Sequence, residues 1–175
     1  VDVRDMTQKE LRDKLGYVPQ KGVLFSGTID SNIRYGKPEI TDAQVKEAAE
    51  VAQATEFIDT KPEKYKSPVS QGGTNVSGGQ KQRLSIARAI AKDPEIFIFD
   101  DSFSALDFKT DSQLRKALKE YTKDATTVIV AQRISTILGA DQIIVLDDGH
   151  MAGIGTHKEL MANCEVYQQI ARSQL

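Results

Sequence analysis

The chain has 175 residues, 39% of them hydrophobic, which is enough for one packed domain or a domain with a small subdomain. Its 23 basic and 25 acidic side chains give a net charge of −2, so nothing indicates the basic excess of a nucleic-acid-coating surface. The single cysteine, Cys164, excludes an internal disulfide and suits a reducing compartment, and no apolar run has the length of a membrane span.

The first predicted elements are a short strand and a long helical segment. LGYVPQ, residues 15–20, predicts a strand that Pro19 stops. Residues 21–75 have almost no strand pattern and are punctuated by glycine and proline, so they predict a helical insertion. Within it, Thr41 is a predicted helix cap, and an apolar face with helical spacing begins at Val45.

From Asp93 onward, predicted strands alternate with predicted helices. Apolar runs predict the strands IFIF, TTVIVA and QIIVLDDG, at residues 96–99, 126–131 and 142–149. This alternation predicts an α/β fold whose strands form a parallel sheet covered on both faces.

Polar side chains follow three of the predicted strands: Gln20, Asp100 and Gln132. Because ligand sites in parallel sheets lie at the carboxyl ends of strands, we expect these residues at one crevice. A strand-end carboxylate such as Asp100 suits Mg²⁺, and the adjacent Asp101 could orient a water molecule for attack on a phosphate. The alternative is that one aspartate only caps the helix that follows.

A second candidate site is the segment VSGGQKQRLSIARA, residues 76–89. Ser77 is a predicted helix cap, and Gly78 and Gly79 leave the first backbone N–H groups without covering side chains. Such a helix start attracts anions through its N–H groups and the positive end of its dipole. Ser-Gly-Gly alone would be equally typical of an ordinary turn before a helix.

These motifs together resemble those of the ATP-binding cassette (ABC) ATPases. The family signature LSGGQ reads VSGGQ here, and YVPQ, IFIFDD, SALD, TVIVAQR and DDGHMAGIGTHKEL are similar to the other family motifs, in the same order. LFSGTIDSNIRYG, residues 24–36, resembles the exporter branch. The resemblance implies a partial P-loop NTPase (RecA-like) parallel sheet flanked by helices, over residues 1–20 and 93–175. It also implies an α-helical signature subdomain over residues 21–92.

The resemblance also implies roles for single residues, with ATP and Mg²⁺ as cofactors. Asp100 and Gln20 correspond to magnesium positions, and Asp101, Gln132 and Gln20 to catalytic positions. The residues implied to contact ATP are Ser77, Gly78, Gly79, Gln80, Ser104 and Asp107.

Three departures from the family pattern qualify these roles. The chain contains no phosphate-binding G-x-x-x-x-G-K-[ST] loop, and we expect the part of the domain that carries it to lie upstream of residue 1. The strands at residues 96–99 and 127–130 are then expected to leave apolar side chains uncovered. Asp101 stands where the family usually has Glu, and Gln132 stands where it usually has His.

The two substitutions resemble the degenerate half of a heterodimeric exporter. The resemblance then implies a second nucleotide-binding domain and a transmembrane domain as partners, at the cytoplasmic face of the membrane, with no role for nucleic acid. A soluble ABC-class ATPase is one alternative, but it would need a coiled-coil insertion or a basic surface. A non-catalytic regulatory ABC subunit is another, partly favoured by Asp101 and Gln132.

Overall fold

The computed structural model describes residues 1–174, which divide into two compact units on either side of the Val130–Ala131 bond. The strands are β1 (Leu15–Val18), β2 (Gly27–Thr28), β3 (Pro68–Val69), β4 (Ile96–Asp100), β5 (Thr126–Val130), β6 (Ile143–Asp147) and β7 (His150–Gly155). The α-helices are α1 (Gln8–Asp13), α2 (Ile29–Ile33), α3 (Asp42–Val51), α4 (Thr55–Asp59), α5 (Gly78–Ala91), α6 (Phe108–Tyr121), α7 (Ile134–Ile137), α8 (His157–Asn163) and α9 (Glu165–Arg172). Among these residues, no helix is both long enough and apolar enough to cross a bilayer.

The first unit contains a parallel sheet with the strand order β1-β4-β5. Tyr17 lies opposite Ile98, which lies opposite Val128, so the three strands are aligned without a bulge. The parallel pairing predicted for these apolar runs is confirmed.

The two faces of this sheet differ sharply in burial. Phe97 and Phe99 point into the core, as does Val18 of the neighbouring strand. On the opposite face, Tyr17 is 54% exposed and Val130 is 51% exposed. The sheet therefore has one packed face and one apolar face that remains open within the described chain, as expected for the uncovered strands.

Helix α5 organises the rest of the first unit. It begins after the cap Ser77 and is followed by Asp93, which has a left-handed φ of 53°. It packs against α2, α3 and β1, and its buried residues include Leu84, Ile86 and Ile90. The helical character predicted for residues 21–75 is present, and a two-residue antiparallel pair, β2 with β3, interrupts it.

The second unit contains a β-hairpin and short helices. Strand β6 pairs antiparallel with β7. The prediction that residues 142–149 form another strand of the parallel sheet is therefore wrong. Asp148 and Gly149 both have positive φ, 45° and 77°, and form a two-residue turn that returns the chain directly into β7. Its core is formed by residues of β6, α8 and α9 and by the residue that joins the two helices: Ile143, Val145, Leu160, Tyr167 and Cys164.

The open sheet face predicts self-association of the 175-residue chain. Apolar patches and unpaired strand edges favour pairing with a second molecule. Light scattering at concentrations on the order of 10 μM should show dimers or larger species. Val128→Thr combined with Val130→Thr should reduce association, because threonine keeps the strand shape with a polar group. Val23→Thr, at an exposed valine outside the sheet, should not; a monomeric wild-type chain would contradict the prediction.

Candidate functional site

The carboxylate of Asp100 lies on the open face of the sheet, at the end of β4. It is half-buried, and its Oδ2 accepts a hydrogen bond of 3.0 Å from the Tyr17 hydroxyl. This bond, together with burial, raises the pKa of the Tyr17 phenol. Tyr17 was not among the predicted site residues, although the two-residue alternation of β1 and β4 could have placed it on the face of Asp100.

Asp101 begins a tight turn directly after β4. Its φ is 45°, a left-handed conformation that is uncommon for residues other than glycine and more accessible to aspartate than to most. The Asp101 N–H donates to the Val130 carbonyl at 2.9 Å. The Ser104 hydroxyl donates to the Asp101 carbonyl at 3.1 Å, and the buried Ser102 hydroxyl donates to the Val18 carbonyl at 2.8 Å. These bonds hold a strained residue in one conformation, a feature common at functional sites.

Gln20 lies beside Asp101. Its Nε2 donates to Asp101 Oδ2 at 3.0 Å, so the structure brings these two predicted site residues together, although they were not predicted as partners. Gln132 belongs to the second unit, where its backbone carbonyl accepts a hydrogen bond of 2.7 Å from Gln174 Nε2. A crevice shared by Gln20, Asp100 and Gln132 stays a prediction.

The backbone on both sides of Gln20 is held by Gln82 of α5. The side chain of Gln82 is 1% exposed, its Oε1 accepts from Gly22 N–H at 2.9 Å, and its Nε2 donates to the Pro19 carbonyl at 3.0 Å. A Cβ on Gly22 would lie 2.9 Å from the Lys81 carbonyl oxygen, so the loop approaches α5 as closely as only glycine permits. Sequence patterns gave no sign of this contact, because Gln82 alone resembles an ordinary polar helix position.

The start of α5 is closed by a reciprocal capping pair. The Gln80 N–H donates to Ser77 Oγ at 3.2 Å, and the Ser77 N–H donates to Gln80 Oε1 at 3.1 Å. A Cβ on Gly78 would meet no atom within 4 Å, so no contact among the described residues requires glycine there. A Cβ on Gly79 would lie 3.6 Å from the Ala105 carbonyl oxygen, an ordinary contact with the SALD segment.

Asp107, the last residue of SALD, is the N-cap of α6. Its Oδ1 accepts from the Thr110 N–H at 3.0 Å, and this bond lowers the pKa of the Asp107 carboxyl group. Asp107 thus has a structural role as a cap, while Ser104 belongs to the turn that supports Asp101.

The carboxylates suit a divalent cation that is bound mainly through the phosphates of a substrate. No group of three or more His, Cys, Asp or Glu side chains able to hold a metal occurs among residues 1–174. Mg²⁺ is commonly bound through one or two carboxylates together with substrate phosphates, and it does not need an all-protein cage. Asp100, half-buried at a strand end with one oxygen engaged by Tyr17, suits that arrangement.

The parallel sheet and the helices packed against it form the fold of a P-loop NTPase of the ABC exporter type. The family model described as "ABC transporter" matches residues 1–104, and the chain belongs to the ABC transporter family. The chain is 46% identical to an ABC transporter ATP-binding protein of Mycobacterium tuberculosis, over 99% of the chain and 30% of that protein. It is 44% identical to a Staphylococcus aureus protein whose name describes a multidrug export ATP-binding/permease protein, over 97% of the chain and 29% of that protein.

A solved structure has the same fold as this chain. A bacterial Atm1-family ABC exporter with ATP bound superposes with a TM-score of 0.95 at 39% identity, over 99% of this chain and 30% of that one. The chain therefore spans about 30% of the length of these relatives.

Removing the Ser77 hydroxyl should destabilise the chain through the start of α5. Ser77→Ala deletes the acceptor of the Gln80 N–H, and losing such a cap costs about 1 kcal/mol. Urea unfolding should show that loss for Ser77→Ala and a smaller one for Ser77→Asp, which keeps a capping oxygen. Equal stability of wild type and Ser77→Ala would show that the capping pair contributes little.

Proposed function

We propose that the chain is the C-terminal portion of the ATP-binding domain of an ABC exporter, where it couples ATP binding and hydrolysis to export across the membrane. The observation that carries this proposal is the pairing of two features in one unit: an uncovered helix start at Gly78 and a strand-end carboxylate pair, Asp100 and Asp101. The names of the two relatives and the ATP-bound exporter structure support it.

The signature helix is proposed to act on ATP bound to a partner domain. Glycine in a helix costs about 0.5–1 kcal/mol relative to alanine, and the surroundings of Gly78 would accept a Cβ. The absent side chain is therefore best explained by a ligand that approaches from outside this chain. Backbone N–H groups at a helix start bind phosphate oxygens, and Ser77 can donate its hydroxyl hydrogen while Oγ accepts from Gln80.

The second part of the proposal concerns the ATP site of this chain itself. Asp100 and Gln20 would hold Mg²⁺, and the cation would neutralise charge on the phosphates. Asp101 would face the attacking water, but its carboxylate is one methylene shorter than Glu and accepts a hydrogen bond from Gln20. Gln132 cannot carry a proton as His can. This site is therefore proposed to hydrolyse ATP poorly.

The assembly follows from these two assignments. A chain with a working signature helix and a weak site of its own suits a heterodimer with a second nucleotide-binding domain. A transmembrane domain would hold both at the cytoplasmic face of the membrane. The division into a RecA-like part, residues 1–20 and 93–175, and a helical part, residues 21–92, belongs to the same proposal.

A non-catalytic regulatory ABC subunit is the second candidate function. Asp101 in place of Glu favours it, since such a subunit would bind ATP without turning it over. It differs from the first proposal in one respect: its signature helix would not be needed for hydrolysis by the partner.

The 175-residue chain by itself should bind Mg-ATP weakly or not at all, and should not hydrolyse it. It lacks the G-x-x-x-x-G-K-[ST] loop, whose N–H groups and lysine make the strong charge-assisted bonds to the phosphates. Titration calorimetry at ATP concentrations on the order of 10 μM would detect a site of micromolar affinity, and it should show no binding. Micromolar affinity would show that the described residues suffice for the nucleotide.

Gly79→Asp and Asp101→Asn should separate the two roles in the full-length protein assembled with its partner. Gly79→Asp places a negative charge where a phosphate must approach and should abolish steady-state ATPase activity. Asp101→Asn should change it by less than about 3-fold, because a misplaced base has little of its usual ~10²–10⁴-fold effect to lose.

Gly79→Ala is the control for folding, since its Cβ would make only ordinary contacts with Ala105 and Leu106. If Asp101→Asn lowers turnover as deeply as Gly79→Asp, Asp101 is a working base and the weak-site assignment is wrong. If Gly79→Asp leaves turnover unchanged, the regulatory-subunit function is the better account.

A further inference from the structure

The end of β1 is tied to the turn after β4 by consecutive side-chain hydrogen bonds. These bonds join Tyr17 to Asp100, Ser102 to Val18, and Gln20 to Asp101. Two of them end on the carboxylates of the proposed ATP site. Gln20 and Asp100 were predicted as site residues, whereas Tyr17 has no assigned function.

The position of Tyr17 follows from the strand register. Tyr17 lies opposite Ile98 in the parallel ladder, and Asp100 follows two residues later on the same face. Two residues of strand span about 6.6 Å, so only a long side chain with a terminal polar group can reach from one position to the other. The tyrosine hydroxyl does so, at 3.0 Å from Asp100 Oδ2.

A hydrogen bond here restrains the orientation of the carboxylate. The terminal torsion of aspartate is broad, so a carboxylate without a donor samples many orientations. An ionised carboxylate only accepts, and the phenol must therefore be the donor in this pair. With Oδ2 engaged by Tyr17, Oδ1 keeps its lone pairs for another ligand.

We propose that Tyr17 is a positioning residue for Asp100, whose phenol orients the carboxylate towards the divalent cation that accompanies ATP. The inference rests on the proposed function, because it needs a nucleotide-bound cation at Asp100. A purely structural role would need only the ring, as apolar cover for the open face of the sheet beside Ile98. Tyr17→Phe keeps the ring and deletes the hydroxyl, so it separates the two roles.

The test measures cation binding directly. In the full-length protein assembled with its partner, Mn²⁺ is titrated in the presence of a non-hydrolysable ATP analogue, and free Mn²⁺ is followed by electron paramagnetic resonance. The partner's own cation site is the same in every variant, so differences belong to this chain. Tyr17→Phe should weaken Mn²⁺ binding at this site by about 3- to 10-fold, the effect of one partly exposed hydrogen bond.

Two comparisons make the result specific. In an Asp100→Asn background, where Mn²⁺ binding is already weak, Tyr17→Phe should cause no further loss. Tyr35→Phe removes a hydroxyl from another exposed tyrosine, one that stacks on Phe25, and should leave Mn²⁺ binding unchanged.

Unchanged Mn²⁺ binding in Tyr17→Phe would overturn the inference while leaving the proposed function intact. An equal loss in the Asp100→Asn background would also overturn it, since Tyr17 would then act through general destabilisation. If the wild-type assembly binds Mn²⁺ with the nucleotide analogue only at the partner's site, so that Asp100→Asn causes no loss, both the ATP site proposed for this chain and this inference fail.

Discussion

The register of the parallel ladder between β1 and β4 is the constraint on which the candidate site depends. It places Tyr17 directly opposite Ile98 on the neighbouring strand. It also brings the Val18 carbonyl within hydrogen-bond distance of the Ser102 hydroxyl. After Pro19 the chain leaves the sheet where Gln20 can meet Asp101. A slip of one residue would turn Tyr17 to the packed face and Val18 to the open one. The apolar side chains of the packed face therefore also determine the geometry of the polar site at the strand ends.

Local sequence patterns predicted much of this arrangement and left out a specific part. The apolar runs predicted the strands β1, β4 and β5, and serine before two glycines predicted the start of α5. The hairpin of β6 and β7 was missed, because an apolar run of four residues has the same composition in a parallel sheet as in a hairpin. The predicted strand includes Asp148 and Gly149, which form the turn that distinguishes a hairpin from a parallel strand.

The pairing of site residues was the other part that sequence alone did not provide. Gln20 was expected near Asp100, yet its amide meets Asp101, because the left-handed turn at Asp101 redirects the carboxylate away from the strand direction. Such contacts join residues about 80 positions apart and depend on strand register and on one backbone torsion. Neither quantity has a local signature, so the residue types of the site were predictable and their partners were not.

The side-chain amide of Gln82 couples the position of helix α5 to that of the loop from Pro19 to Gly22. Its two hydrogen bonds run in opposite senses, one accepting from Gly22 and one donating to Pro19, so they anchor the loop against both pulling and twisting. A rotation of α5 about its own axis must either move Pro19 and Gly22 with it or leave the buried Gln82 amide without hydrogen-bond partners. The second outcome is costly in free energy. Gln20 lies between the two residues that Gln82 holds. A rotation of α5 should therefore displace Gln20 as well.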